Sequence, residues 1–249
     1  MAAAAVAALL AAGCGEKSEP TSASGSQTLT VSAAASLKDA LDAYGKTFGT
    51  PVRAQFAGSD DLAAQIAQGV KPDVYAAANT SLPAQLHAKG LVGAPQIFAG
   101  NELVLAVPAQ HAKVHGLKDL GRKGVTIAIG AKTVPVGAYT HQVLDRLGGA
   151  QEKAIVGNVR SEEPDVKGVV GKLTQHAVDA GFVYRSDVRA AGGSLKAIAL
   201  PAGLRPKVAY AAAVVKGAKQ PILARQYIDG LTSGAGQDAL RAAGFLPPP

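Results

Sequence analysis

The sequence predicts an α/β fold in two lobes, each a mostly parallel sheet flanked by helices. From residue 28 onward short apolar runs alternate with amphipathic stretches, the βαβα order that produces parallel sheets. Two long apolar runs, 103–107 and 208–215, bracket a middle unit, as expected of two strands that cross between lobes. The 249 residues suit two lobes of about 100–125 residues, each able to bury its own core. Residues 28–105 and 212–249 are therefore assigned to the first lobe and 106–211 to the second.

The elements follow in order. Leu29-Thr30-Val31 opens a strand. Leu37, Ala40, Leu41, Tyr44 and Phe48 then keep helical spacing until Gly49-Thr50-Pro51 stops the helix. A second extended run, 52–56, leads to Leu62, Ala63, Ile66 and Ala67 on another helix before Gly69. Residues 73–77 read as a buried strand and 82–88 as a helix closed by Gly90. Beyond the strand ending at Pro108, His111 and His115 fall in a polar stretch expected to be a solvated loop. In the second lobe, 125–129 is a strand and 137–147 a helix ended by Gly148-Gly149. Asp165 is an N-cap candidate for a helix over 166–173, and Phe182-Val183-Tyr184 ends the next strand. Helices over 221–231 and 237–243 complete the chain, which shows no internal sequence repeat.

Hydrophobic residues make up 48% of the chain and charged residues 17%, a balance that supports packed cores rather than disorder. There is no Trp, and aromatics amount to 4%, which argues against a base-stacking nucleic-acid surface. The net charge of +7 steers anions toward the protein without naming one.

Cys14 is the sole cysteine, so no intrachain disulfide forms. Residues 2–13 are an apolar run of small residues, shorter than the roughly 20 needed to cross a bilayer as a helix and suited to the tail of a secretory signal. Leu10-Ala11-Ala12-Gly13-Cys14 resembles a bacterial lipobox, which implies that Cys14 is lipidated and becomes the N-terminus after cleavage of 1–13. No Lys or Arg precedes the apolar run, so a start further upstream is expected. Residues 14–27 then read as a lipid-anchored, polar tether.

Two junctions carry the candidate chemistry. Ala33-Ala34-Ala35-Ser36 and Phe56-Ala57-Gly58-Ser59 each end an extended run on a serine that should cap a helix. A helix start leaves backbone N–H groups without intrahelical partners. Two such starts converging on one cleft form an anion site built from dipoles. Asp60 and Asp61 follow Ser59; they favour the helix start and would oppose an anion if they faced it. No set of acid, base, nucleophile or metal ligands suits an enzyme acting on a phosphorylated or sulfated metabolite, the reading from another class.

Ala33-Ala34-Ala35-Ser36-Leu37, Phe56-Ala57-Gly58-Ser59 and Leu62-Ala63-Ala64-Gln65-Ile66 resemble the periplasmic molybdate-binding proteins of ABC importers. So do Gly69-Val70-Lys71-Pro72-Asp73-Val74, Asn101-Glu102-Leu103-Val104-Leu105, Val134-Pro135-Val136-Gly137-Ala138-Tyr139, Gly181-Phe182-Val183-Tyr184 and Ala243-Gly244-Phe245, all in the same order. The resemblance implies a periplasmic-binding-protein fold that closes on a tetrahedral dianion. It implies hydroxyl and backbone donors at Ser36 and Ser59, backbone N–H donors at Val136 and Val166, and the phenol of Tyr184. The implied ligand is molybdate, with tungstate beside it and sulfate or another tetrahedral oxyanion as the alternative. No cofactor and no protein-ligated metal cation are implied. The implied partner is an ABC permease, served by a monomer held outside the cytoplasm at the membrane.

Overall fold

Ten strands form two five-stranded sheets in the computed structural model, which describes residues 1–3 and 27–249. The expectations placed on Cys14, on most of the 1–13 signal and on the 14–27 tether fall on 4–26, outside the described residues. The chain runs β1 (Leu29–Ala34), α1 (Lys38–Gly45), β2 (Val52–Ala57), α2 (Ser59–Ala67), β3 (Val74–Ala77), α3 (Ser81–Ala88), β4 (Gln96–Asn101) and β5 (Leu103–Pro108). It continues through β6 (Ile127–Gly130), α4 (Pro135–Leu147), α5 (Gly149–Val156), β7 (Val159–Glu163), α6 (Val166–Thr174), β8 (Ala180–Tyr184) and α7 (Arg185–Ala190). The last elements are β9 (Leu195–Ala199), β10 (Val208–Val214), α8 (Pro221–Thr232) and α9 (Ala235–Ala242).

The first sheet has the order β2-β1-β3-β10-β4 and the second β7-β6-β8-β5-β9. In the first, β1 is parallel to β2 and β3, and β10 is antiparallel to β3 and β4. In the second, β6 is parallel to β7 and β8, and β5 is antiparallel to β8 and β9. Each sheet is thus half parallel, because the strand inserted beside the βαβ core runs against it. The lobe boundaries differ from the sequence expectation for the same reason. Boundaries at 105/106 and 211/212 would divide β5 and β10, yet β5 lies wholly in the second sheet and β10 wholly in the first. The crossings fall instead at Glu102, between β4 and β5, and in 200–207 after β9.

β5 reads as a continuous apolar run because it is covered on both faces, with Leu103 to Val107 all buried. Ala40, Leu41 and Tyr44 repeat at helical spacing, so one face of α1 is buried while Asp39 and Asp42 face water. Burial of a side chain such as Leu41 stabilises the lobe by about 1.5–3 kcal/mol. Sequence periodicity missed β4, β7, β9, α5 and α7. Strand β7 alternates half-buried and exposed positions, and β9 buries only Leu195; both are edge strands with little apolar signal.

A Thr–Asp clamp ties the parallel strands of each lobe together. Asp73 Oδ2 accepts from the Thr30 N–H (2.8 Å) and Thr30 Oγ1 (2.6 Å), while the Asp73 N–H donates to Thr30 Oγ1 (3.0 Å). Asp179 Oδ2 accepts from the Thr126 N–H (2.9 Å) and Thr126 Oγ1 (2.8 Å), and its N–H donates to Thr126 Oγ1 (3.1 Å).

Candidate functional site

Four helix starts meet in one cavity between the sheets. The first is the 3-10 turn Ala35–Leu37 that runs into α1; the others are the starts of α2, α4 and α6. Ser36, Ser59, Val136, Val166 and Tyr184 all line this cavity, and each is at most 5% exposed. The five candidate residues, spread over 149 positions of sequence from 36 to 184, are therefore together. The space open to the centre of a water-sized sphere is about 20 Å³, enough for one small, compact ligand.

The serines are not the N-caps that the sequence led us to expect. Ala34 and Gly58 hold the N-cap places, with extended ψ of 140° and 136°, and neither supplies a side-chain cap. Ser59 is the first helical residue of α2, and Ser36 sits inside the 3-10 turn. Capping is thereby left to small residues, and the first-turn N–H groups stay open toward the cavity. The serine oxygens have tertiary partners instead. Ser59 Oγ accepts the Ala78 N–H at 3.1 Å, so its own proton remains to be donated. Ser36 Oγ lies 2.9 Å from the Tyr210 hydroxyl.

The second lobe offers backbone N–H groups beside one phenol. Pro135 occupies the first position of α4 and has no N–H, so Val136 carries the first donor of that helix. Asp165 caps α6 as expected, its Oδ1 accepting the Gly168 N–H at 3.0 Å. That leaves Val166 at the first helical position, where its N–H has no intrahelical acceptor. Gly137 permits the close packing under this turn: a Cβ there would stand 1.9 Å from the Ala131 carbonyl oxygen.

Tyr184 ends β8 with its ring buried and its hydroxyl without a hydrogen-bond partner. Burial, helped by nearby Tyr210, Tyr139 and Asp187, pushes its pKa well above the usual phenol value, so the group is a neutral donor. Its own N–H donates to Asp187 Oδ2 at 3.2 Å. Asp187 is fully buried, and burial lifts its carboxyl to about 7 against the opposing pull of Lys167. Lys167 Nζ stands 3.5 Å from Asp187 and 3.5 Å from Asp39 of the other lobe. A second cross-lobe approach lies at Gly58, where a Cβ would come within 2.5 Å of the Pro164 carbonyl oxygen. Asp60 is not among the lining residues; it sits in the first turn of α2 with a buried Oδ1 that has no partner. Sequence reasoning missed Gly58, Lys167, Asp187 and Tyr210, whose importance comes from contacts across elements.

The lining among the described residues holds no Lys, Arg or His. Neutral donors from helix ends and hydroxyls can surround a desolvated anion at close range. The profile of the bacterial extracellular solute-binding proteins matches residues 29–246. The chain belongs to that family. It is a family of transport receptors, and this solute-binding chain is accordingly not an enzyme. It is 35% identical to the molybdate-binding protein ModA of Mycobacterium tuberculosis, over 98% of this chain and 96% of that protein. Among solved structures it resembles the substrate-binding domain of a putative molybdenum ABC transporter from Clostridium difficile. That match has 27% identity and a TM-score of 0.67, and covers 88% and 98% of the two chains. The Azotobacter vinelandii periplasmic molybdate-binding protein shares the fold at 23% identity and a TM-score of 0.77, with 89% and 100% covered.

Proposed function

We propose that this receptor captures molybdate, and tungstate beside it, outside the cytoplasm and delivers it to an ABC permease. The observation that carries the reading is the buried, partnerless Tyr184 hydroxyl in a cavity ringed by four helix starts. Ser36 and Ser59 would donate from the first lobe, and the Val136 and Val166 N–H groups and the Tyr184 phenol from the second. Such donors fit a fully deprotonated tetrahedral dianion, which accepts from all of them. The likeness to ModA supports molybdate as the member of that class. Anchoring through a lipid on Cys14, and action as a monomer, belong to the same proposal.

Calorimetric titration with molybdate, tungstate, sulfate and phosphate tests it. Molybdate and tungstate should bind one per chain, with sulfate far weaker. At 100 times its dissociation constant, a bound ligand should stabilise the fold by about 2.7 kcal/mol. Equal affinity for all four anions would leave only general electrostatics, and a clear preference for sulfate would make the protein a sulfate receptor.

A further inference from the structure

Exposed cations gather at the end of the first lobe that lies farthest from the cavity. Strands β1 and β2 run toward the cavity, where Ser36 and Ser59 follow them. Their starts, the start of parallel β3 and the end of antiparallel β10 therefore share the far pole. Four connections meet there. Residues 46–53, 68–72, 88–95 and 215–222 carry Lys46, Arg53, Lys71, Lys89, Lys216 and Lys219, and no Asp or Glu. The Leu29 N–H donates to the Pro51 carbonyl at 2.9 Å, and the Lys216 N–H to the Leu91 carbonyl at 2.8 Å. A Cβ on Gly217 would lie 3.5 Å from Lys71 Nζ. All six cations are exposed, and none forms an ion pair among the described residues. The Asp73 carboxylate, in the same region, is buried and already accepts from Thr30 and Gln220.

We infer that this pole is a docking surface for the anionic headgroups of a lipid membrane. Such docking builds on the anchored reading above and adds the face that meets the membrane. Unpaired cations can take up lipid phosphates without first giving up a partner in the protein. Two apolar side chains stand among them, Val70 beside Lys71 at 47% exposed and Ile222 near Lys219 at 73%. Apolar groups flanked by lysines suit the boundary between headgroups and acyl chains. Arg53, Val70 and Lys71 also line an open groove of about 350 Å³, room for a headgroup. The chain enters β1 at this pole, and residues 14–27 reach at most about 50 Å when fully extended. An anchor at Cys14 would therefore hold this end of the molecule nearest the lipid. The six residues of β1 set the pole about 20 Å from the cavity end of the sheet, so a docked receptor presents its cavity away from the bilayer. Attraction of this kind is screened by salt, which leaves the receptor free to detach and turn toward its permease.

The test is flotation of the full chain with vesicles, with Cys14→Ser in every protein so that no lipid is attached. Vesicles of phosphatidylcholine alone measure what the apolar run 2–13 contributes. Vesicles of phosphatidylglycerol and phosphatidylcholine in equal parts should bind more tightly, and the excess should vanish near 1 M salt, where the screening length falls to about 3 Å. Each lysine removed from the pole should weaken that excess about fivefold, so Lys71→Gln, Lys216→Gln and Lys219→Gln together should nearly abolish it. Lys118→Gln, Lys123→Gln and Lys153→Gln make the same charge change at exposed, unpaired lysines of the second lobe and should stay close to the parent. Both triple variants should keep the parent's melting temperature and molybdate affinity. Ile222→Ser, which alters no charge, should also weaken binding to the anionic vesicles. Equal binding to the two kinds of vesicle, or equal losses in the two triple variants, would overturn the surface. An Ile222→Ser protein that binds like its parent would mark a surface for soluble polyanions and overturn the assignment to lipid. The mass of the natural Cys14 protein from membranes shows separately whether the anchor exists, so the two readings fail independently.

Discussion

Strand β1 lies between β2 and β3 in the first lobe as β6 lies between β7 and β8 in the second, and an antiparallel strand closes on β3 and β8 alike. The Thr30–Asp73 and Thr126–Asp179 clamps repeat this correspondence atom for atom. The donors differ. The first lobe presents two serines whose oxygens are already held by Ala78 and Tyr210. The second presents two valines whose side chains contribute packing alone, together with a phenol that has no partner. The same frame can therefore present either hydroxyl or backbone donors, because what the frame fixes is the position of the helix starts. Side-chain identity there is free to vary unless the oxygen or the shape is itself used.

That contrast is broken most forcefully at Val166. Val166→Pro removes the N–H at a first helical position that tolerates proline, and Asp165 before it already has an extended backbone, φ −158° and ψ 176°. A hydrogen bond to a charged group is worth about 1.5–3 kcal/mol, so molybdate affinity should fall about 10- to 150-fold. Val166→Ala should stay close to the parent. Equal affinities for the two folded variants would remove Val166 from the ligand set.

Two glycines then separate packing within a lobe from approach between lobes. Gly137→Ala would drive a Cβ into the Ala131 carbonyl of its own lobe, and should cost about 1–3 kcal/mol of stability or more, read as a lower melting temperature without ligand. Gly58→Ala meets Pro164 of the opposite lobe and Asp60 Oδ1. It should leave the ligand-free melting temperature much closer to the parent and instead weaken molybdate binding. The reverse pattern would mean that the lobes do not need to approach at Gly58.

The smallest difference expected is between the two clamps. Burial pushes the Asp73 carboxyl up, but donors from Thr30, Gln220 and Lys219 outweigh it and hold the pKa below the ordinary value. Asp179 is likewise pushed up by burial and brought lower overall by Lys113 and Thr126. Depressed folded pKa values give stability that is present above the unfolded value, about 3.9, and lost as pH falls through the folded ones. Asp73 Oδ1 accepts the Gln220 N–H at 2.8 Å, whereas Asp179 Oδ1 pairs with Lys113 Nζ at 2.9 Å, an ammonium whose side chain is 65% exposed. An exposed pair is worth about 0–1 kcal/mol. Asp73→Asn should therefore lower stability at pH 7 more than Asp179→Asn, and both variants should lose less than the parent on acidification below about pH 4. Chemical denaturation at pH 7 and pH 3 measures both effects.

Much of this architecture was legible from spacing alone. The helical repeats at Leu37–Ala40–Leu41–Tyr44 and the unbroken apolar runs of β5 and β10 are consequences of one-sided and two-sided burial. The repeat between lobes was invisible because it resides in paired contacts, Thr30 with Asp73 and Thr126 with Asp179, rather than in a run of similar residues. Among the candidate donors, Ser36, Ser59 and Tyr184 could be chosen for their hydroxyls. Val136 and Val166 could be chosen only through family resemblance, since a backbone N–H leaves no trace in residue identity. Tyr210 escaped because a tyrosine inside an apolar strand reads as core until its neighbours Asn101 and Ser36 are seen. The N-cap assignments failed because these helices begin on Ala34 and Gly58, without a side-chain cap, and each serine falls one or two residues further in.

The claim that both lobes donate to one anion is tested most directly by a crystal structure with molybdate, with the metal located by its anomalous scattering. A single peak should lie in the cavity between the starts of α2, α4 and α6, with oxygens reaching Ser36 and Ser59 on one side and Val136, Val166 and Tyr184 on the other. A peak elsewhere, or an anion held by residues of one lobe alone, would contradict it.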